Sequence, residues 1–448
     1  MLTIPQALDR LDTILSAARA AGADAADGLY AADASTSISV RLGALEDASR
    51  SEGEELGLRV FIGRRSASVT TSDLSPDALR EAAARTVAMA RLAPEDPWAG
   101  LAPEALLLRD TPADLDLDDP TELSSEQLKA LALQAEDAAR AVAGITNSEG
   151  GGAAQGRSVI ALATSTGFAQ GRQGSSYSLS ASVIAGEGAA MQRDYAWHSA
   201  RHFADLEAAD AIGTRAGTRA TSRLNPIKLD TAQLPIIFDP RVSASLIGHL
   251  VGAITGSSIT RGTSFLKDRL GQRLFAPGIQ VIDDPLRARG LKSRSFDGEG
   301  LPTRPLALIE DGVLTSWLLD MASARQLGLA PTGHASRGTS GPPGASTSNL
   351  HMAAGTLSPA ELMADIKRGV LVTELIGMGV NGLTGDYSRG AGGFLIENGE
   401  VTVPVAEITI AGNLIDMFAH LTPANDLRFR HASNAPSLRV DGMTIAGA

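Results

Sequence analysis

Two dipeptides constrain the fold more than any other feature of this chain. Asp311-Gly312 separates the runs ALIE and VLTSW, and Asn398-Gly399 separates GFLIE and EVTVPV. Asp-Gly and Asn-Gly between apolar runs mark two-residue hairpin turns, because both turn positions need positive φ. The last part of the chain is therefore expected to be rich in antiparallel strands. Elsewhere helical patterns interrupt the strands. Leu8, Leu11, Ile14, Leu15 and Ala18 repeat at helical spacing over residues 5–22, and Pro76–Leu92 carries a second such pattern. Ser124 and Gln127 form a capping-box signature for a third helix. Ser35–Arg41 and Gly57–Thr71 read as strands, the second with a hairpin turn at Gly63. The fold class is α+β, multi-domain, with antiparallel-rich mixed sheets and helices.

At 448 residues the length prior is about three domains. The clearest boundary is the stretch 93–124, with prolines at 94, 97, 103, 112 and 120 and no sustained period. The division expected is an N-terminal α+β domain over 1–110, a middle domain over 111–230 and a hairpin-rich C-terminal domain over 231–448. Residues 331–349 form a long Gly/Ser/Thr/Pro loop of a kind that is often functional.

Composition excludes several function classes. There is no cysteine, so disulfides, zinc ribbons, iron–sulfur clusters and thiol nucleophiles are all excluded. Basic residues number 39 against 51 acidic, a net charge of −12, with no Lys/Arg block and only 4% aromatics. Neither a basic footprint for duplex nucleic acid nor a set of stacking platforms for single strands is present. No run of ~18 apolar residues predicts a membrane span, and the N-terminus lacks the basic start of a secretory signal. A cytoplasmic location without nucleic acid or membrane is expected.

Four motifs invite a chemical reading. GMGVNG over 377–382 fits a dinucleotide fingerprint, but Gly/Thr/Asp-rich sequence follows where a helix should open. Ser264-x-x-Lys267 lacks the companion motifs of penicillin-binding enzymes. His198 and His202 sit on a strand-like pattern, about 13 Å apart at strand rise, too far to share a metal. Gly248, Gly252 and Gly256 recur every four residues along the helix 241–256. Such a stripe marks either a tight packing face or the close approach of a backbone or ligand. His249 stands alone beside it.

The run GMGVNGLTGDYSRGAGGFLIENGEVTVPVAEITIAGN over 377–413 resembles the TldD/PmbA peptidase family, specifically its PmbA (TldE) branch. GLRVFIGRRSASVTTSDL at 57–74, MQRDYAW at 191–197, SLIGHLVGAITG at 245–256, SFDGEGLPTRPLALIEDGVLTSWLLD at 295–320 and TGHASRG at 332–338 agree in the same order. The resemblance implies a TldD/PmbA-like fold and pairing with a second, similar subunit. It further implies that the TldD-type partner carries zinc on an H-E-x-x-x-H helix plus a cysteine, and that small unfolded or modified peptides are the substrate. The label "modulator of DNA gyrase" travels with the family. Carried onto this chain, the motif places Gly248 at the first histidine, His249 at the glutamate and Ala253 at the second histidine. No metal, no catalytic residue and no cofactor is therefore expected in this chain, with zinc in the partner. Residues expected to meet peptide or partner are Gly252, Arg337, Asp386, Tyr387, Ser388 and Arg389, the last four within a glycine-flanked loop. Asp386 and Arg389 would brace one another there or meet partner groups. Strand addition at an open sheet edge would hold an extended peptide. The rival reading is a stand-alone peptide-binding or scaffold protein, acting as a homodimer. A third is an enzyme of unrelated mechanism built on 386–389.

Overall fold

The computed structural model describes Met1–Gly447. Its first half is built on one long antiparallel sheet. Helix α1 (Ile4–Ala20) starts at a Thr3/Gln6 capping box with Pro5 in its first turn. Strands β1 (Ala25–Arg41), β2 (Ala44–Ile62) and β3 (Arg65–Thr71) follow, then α2 (Pro76–Leu92). Helix α3 (Ser125–Arg140) opens on the Ser124/Gln127 capping box. Strands β4 (Ile145–Thr164), β5 (Ala169–Ala185) and β6 (Gln192–Ala200) lead to α4 (Ala209–Ser222). The six strands lie in the order β3-β2-β1-β4-β5-β6. β1 pairs with β4 from Asp27 to Val40. Residues 1–110 and 111–230 thus supply three strands each to one continuous sheet.

Strand alternation divides the two faces of that sheet. Tyr30 and Ile38, on one face of β1, pack under α1/α2 and under α3/α4 respectively. Leu29 faces the other way and joins Leu162, Phe168, Phe296, Leu301 and Met321. The second half of the chain docks on this opposite face.

That half begins with β7 (Ala232–Phe238), α5 (Pro240–Ile254) and the short α6 (Gly256–Thr260). A small sheet comes next, from β8 (Val281–Asp283), β9 (Leu306–Glu310) and β10 (Val313–Leu314). After α7 (Met321–Leu327) come the paired β11 (Ala335–Ser336) and β12 (Gly344–Ala345), then β13 (Leu350–Met352) and α8 (Pro359–Met363). The principal strands are β14 (Arg368–Ile376), β15 (Asp386–Glu397) and β16 (Glu400–Asn413). Helix α9 (Leu414–Ala419), β17 (Leu421–Pro423), β18 (Ser433–Asn434) and β19 (Leu438–Ala446) complete the chain. Both hairpin turns have the required backbone: φ is 47° and 78° at Asp311-Gly312, and 50° and 85° at Asn398-Gly399.

The order β16-β15-β14-β7-β19-β17 carries an extra pairing, β16 with β19. The five long strands therefore close on themselves, but only narrowly: β16 meets β19 over Thr409–Ala411 alone. The short β17 stays at an edge, and the start of β16, Glu400–Val403, is paired on the β15 side only.

Three expectations change. Thr384–Gly393 is not a free loop: from Asp386 onward it is strand β15, paired with β16 throughout and with β14 as well from Gly390. Glycine is poor in strands, but here it permits contact that a side chain would block. A Cβ on Gly393 would lie 1.9 Å from Leu371 O. The 331–349 segment is pinned, not free. A Cβ on Gly57 would fall 1.9 Å from Thr339 O, which also accepts a hydrogen bond from Thr70 Oγ1 at 3.1 Å. Finally, β1 begins ten residues before Ser35, at Ala25.

Candidate functional site

Helix α5 follows β7 through Asp239, whose side chain accepts from Arg241 N, and Pro240. Leu246, Ile247, Leu250, Ala253 and Ile254 bury one face of it in the core. Gly248 and Gly252 lie on the exposed face, and a Cβ at either would meet nothing within 4 Å. Of the glycine stripe, only Gly256 is tightly packed, with Ser323 Oγ 2.1 Å from its would-be Cβ. Gly248 and Gly252 thus make a bare helix face within this chain, while Gly256, past the end of α5, is an internal packing contact.

Beside that face, α5 meets β15. The ring of His249 sits edge-on to Tyr387, with centroids 5.9 Å apart at 75°. Arg389, two residues along the same strand face, completes a cluster. Three of its buried polar atoms have no hydrogen-bond partner of good geometry: His249 Nε2, the Tyr387 hydroxyl and Arg389 Nε. Burial pushes Tyr387 up to about 12, with the Arg389 charge and its nearby guanidinium opposing the rise. Burial first, then the Arg389 charge, lowers the His249 imidazole below its ordinary value. Buried polar groups are normally paired, so this trio is ready to hydrogen-bond an incoming group. Neutral imidazole, phenol and guanidinium suit carbonyl or carboxylate oxygens.

The remaining expected residues fall elsewhere. Alternation along β15 puts Asp386 and Ser388 on the exposed side, away from Tyr387. Asp386 accepts from Thr384 Oγ1 at 2.6 Å and Asn413 Nδ2 at 3.2 Å, which hold its carboxyl below the ordinary value. It forms no ion pair with Arg389, so the expected brace is absent and residues 386–389 do not converge on one point. Arg337 is remote from this site. It is 1% exposed and lies 2.7 Å from Asp27 Oδ1, bracing the 331–349 segment against the first sheet. Sequence reading placed Arg337 in the site because it lies in a polar, glycine-rich segment, and the buried acid at Asp27 gave no signal. Gly252 stands on the open face already described.

The tempting motifs have structural explanations. The 377–382 segment turns back onto β15 and is followed by strand, not helix. Ser264 Oγ donates to Ala253 O at 2.6 Å and accepts from Leu266 N. His198 lies in β6 and accepts from Glu207 N, while His202 Nε2 contacts Asp116.

Family models for the first, central and C-terminal domains of PmbA/TldA metallopeptidases match residues 26–90, 118–224 and 231–447. The chain belongs to the PmbA/TldD metallopeptidase family. It is 40% identical to the metalloprotease PmbA of Escherichia coli O157:H7, over 98% of this chain and 96% of that protein. Identity to the PmbA homologue of Haemophilus influenzae is 37%, over 92% and 90%. A Bacteroides thetaiotaomicron crystal structure, described as a modulator of DNA gyrase, superposes with a TM-score of 0.92 at 27% identity, covering all of both chains. TldE of Thermococcus kodakarensis shares the fold, with a TM-score of 0.84 at 21% identity over 98% of this chain and 100% of that one.

A PmbA/TldD-family metallopeptidase implies a metal, and the residues here do not fit one. Gly248 and Ala253 carry no donor atom, and His249 is the single imidazole on that helix. Among the described residues no group of three His, Cys, Asp or Glu side chains gathers to hold an ion. Catalytic zinc needs about three protein ligands.

Proposed function

We propose that this chain is the non-catalytic, PmbA/TldE-type subunit of a heteromeric zinc metallopeptidase. It pairs in the cytoplasm with a TldD-type subunit that holds the zinc, and the pair processes small unfolded or modified peptides. The observation that carries this reading is the α5 face. At the positions where the TldD motif supplies ligands and a base, this chain has Gly248, His249 and Ala253, and the glycines look onto open space. A partner backbone or a peptide can approach that face closely, and His249, Tyr387 and Arg389 stand ready beside it. The neighbouring 376–383 turn adds exposed apolar side chains at Ile376, Met378 and Leu383. Apolar groups gathered on a surface suit a protein interface.

The test is peptide hydrolysis by this chain alone, by a TldD-type subunit alone, and by the mixture, each with and without chelator. Cleavage is expected only where the TldD-type subunit is present, increased by this chain and abolished by chelator. Elemental analysis of the dialysed chain is expected to find no stoichiometric zinc. Chelator-sensitive cleavage by this chain alone, with about one zinc bound, would overturn the proposal. Failure to co-elute with any TldD-type subunit, together with a stable homodimer, would favour the scaffold reading.

A further inference from the structure

A cavity of about 570 Å³ opens between the two halves of the molecule, apart from the α5 glycine face. Its volume lies within the roughly 300–1,000 Å³ of small-molecule sites. The first half contributes Tyr195 and Trp197 from β6 and Arg219 from α4. The second half contributes the start of α5 and the 426–437 segment, with Arg428 and His431.

Arginines outnumber carboxylates in its wall, with Arg215, Arg219, Arg241, Arg428 and Arg430 against Asp239 and Asp426. Arg241 is held by Asp194, with contacts at 2.6 and 3.2 Å. Arg215 and Arg430 share Glu207. Asp426 accepts from the backbone N–H and hydroxyl of Ser437, each at 2.8 Å. Asp239 caps α5, and burial pushes its carboxyl up. Among the described residues this leaves Arg219 and Arg428 without a carboxylate partner. Arg219 makes one hydrogen bond, to Tyr195 O at 3.2 Å. Burial and the nearby Arg241 charge lower it to about 10, against the weaker pull of Asp194 and Asp239. A partly desolvated guanidinium with no carboxylate in direct contact gains from an anion, and its planar fork matches a carboxylate; Arg428 stands exposed at the mouth. The apolar part of the wall is equally specific. The Trp197 and His431 rings lie 4.5 Å apart at 40°, with Ile237, Met363 and Leu371 also lining the space.

We infer that this cavity binds a short peptide by a carboxylate. Arg219 and Arg428 receive the carboxylate, and an apolar or aromatic side chain rests against Trp197 and His431. That the ligand is a peptide rests on the function proposed above, but binding here requires no partner subunit. Failure of one reading is therefore distinguishable from failure of the other.

The test is calorimetry on the full chain with N-acetyl-alanyl-phenylalanine, its C-terminal amide and inorganic phosphate. The acid is expected to bind, and the amide at least ~10-fold more weakly, as the loss of a charge-assisted hydrogen-bonded pair requires. Replacing both arginines, Arg219→Gln with Arg428→Gln, should erase that preference. Trp197→Ala should weaken acid and amide alike. If the double variant melts far below the wild type, the acid-to-amide comparison on the wild-type chain decides alone. Equal binding of acid and amide, or no binding of the acid at millimolar concentration, overturns the inference. So does a double variant that keeps the preference, or phosphate that displaces the acid with equal affinity.

Discussion

Replacing Asp27 by asparagine keeps the side-chain shape and removes one charge from the join between the two halves. Asp27 stands opposite Arg59 across the β1–β2 pair, so both side chains leave the same face of the sheet. Arg59 Nη2 and Nε donate to its two oxygens at 2.5 and 3.1 Å, and Arg337 Nη1 lies 2.7 Å from Oδ1. All three side chains are almost wholly buried. Burial alone would raise the Asp27 carboxyl, but the charges of Arg59 and Arg337 outweigh it and hold the group below its ordinary value. Its stabilising effect is present in full above pH 3.8 and is lost as pH falls through the lower folded-state value. In Asp27→Asn, two guanidiniums stay buried against a neutral amide. Breaking a buried pair in this way costs about 3–5 kcal/mol, a large share of the ~5–15 kcal/mol that holds a domain folded. Arg337→Met leaves the Asp27–Arg59 pair intact and should cost less, about 1–3 kcal/mol. Urea unfolding at pH 7, followed by far-UV circular dichroism, gives both values. The reasoning is refuted if Asp27→Asn unfolds within ~0.5 kcal/mol of wild type, or if Arg337→Met is the more damaged variant. Loss of peptide turnover by a stable Arg337→Met variant would return Arg337 to the binding site.

Glu299 is pushed up to about 8 by burial and by the Asp297 charge, so it is protonated in the folded state near neutrality. Stability from this group is present below pH 4.5 and lost as pH rises through about 8. Glu299→Gln retains an acceptor for Met321 N and should match wild type in acid but exceed it at pH 9, by up to ~5 kcal/mol; parallel melting curves across pH would refute this. Burial lowers the imidazoles of His198, His249, His351 and His431. The unfolded chain therefore takes up protons first, and stability should fall as pH drops below 6.5; His249→Gln should make that fall shallower in pH-dependent urea titrations. Gly252→Ala should raise stability by about 1 kcal/mol through helix propensity alone, whereas Gly256→Ala should lower it because of Ser323. Urea melts of the two variants give the signs. Gly252→Leu, folded normally, should elute apart from a TldD-type subunit on size exclusion.

Much of this molecule is readable along the chain because the controlling interactions are local. Capping boxes at Thr3 and Ser124 mark helix starts, since the orphan N–H groups are met within three residues. The Asp-Gly and Asn-Gly turns mark hairpins, since positive φ is a property of two adjacent residues. Cysteine content and net charge limit the chemistry before any fold is known, and the family resemblance singles out 248 and 253 as positions that here lack a ligating side chain. Tertiary structure decided the rest. The first ten residues of β1, AADGLYAADA, have little strand propensity and are strand because β2 and β4 pair with them on both sides. The glycines of β15 resemble a loop until Leu371 is seen pressing against Gly393. Closure of the second-half strands into a ring depends on β16 meeting β19, with more than thirty residues between their paired positions. Only the folded chain sorts Tyr387 and Arg389 toward His249, Asp386 and Ser388 toward solvent, and Arg337 toward Asp27. Each of these partnerships joins residues distant in sequence, and burial, which sets their energies, exists only once the layers have packed.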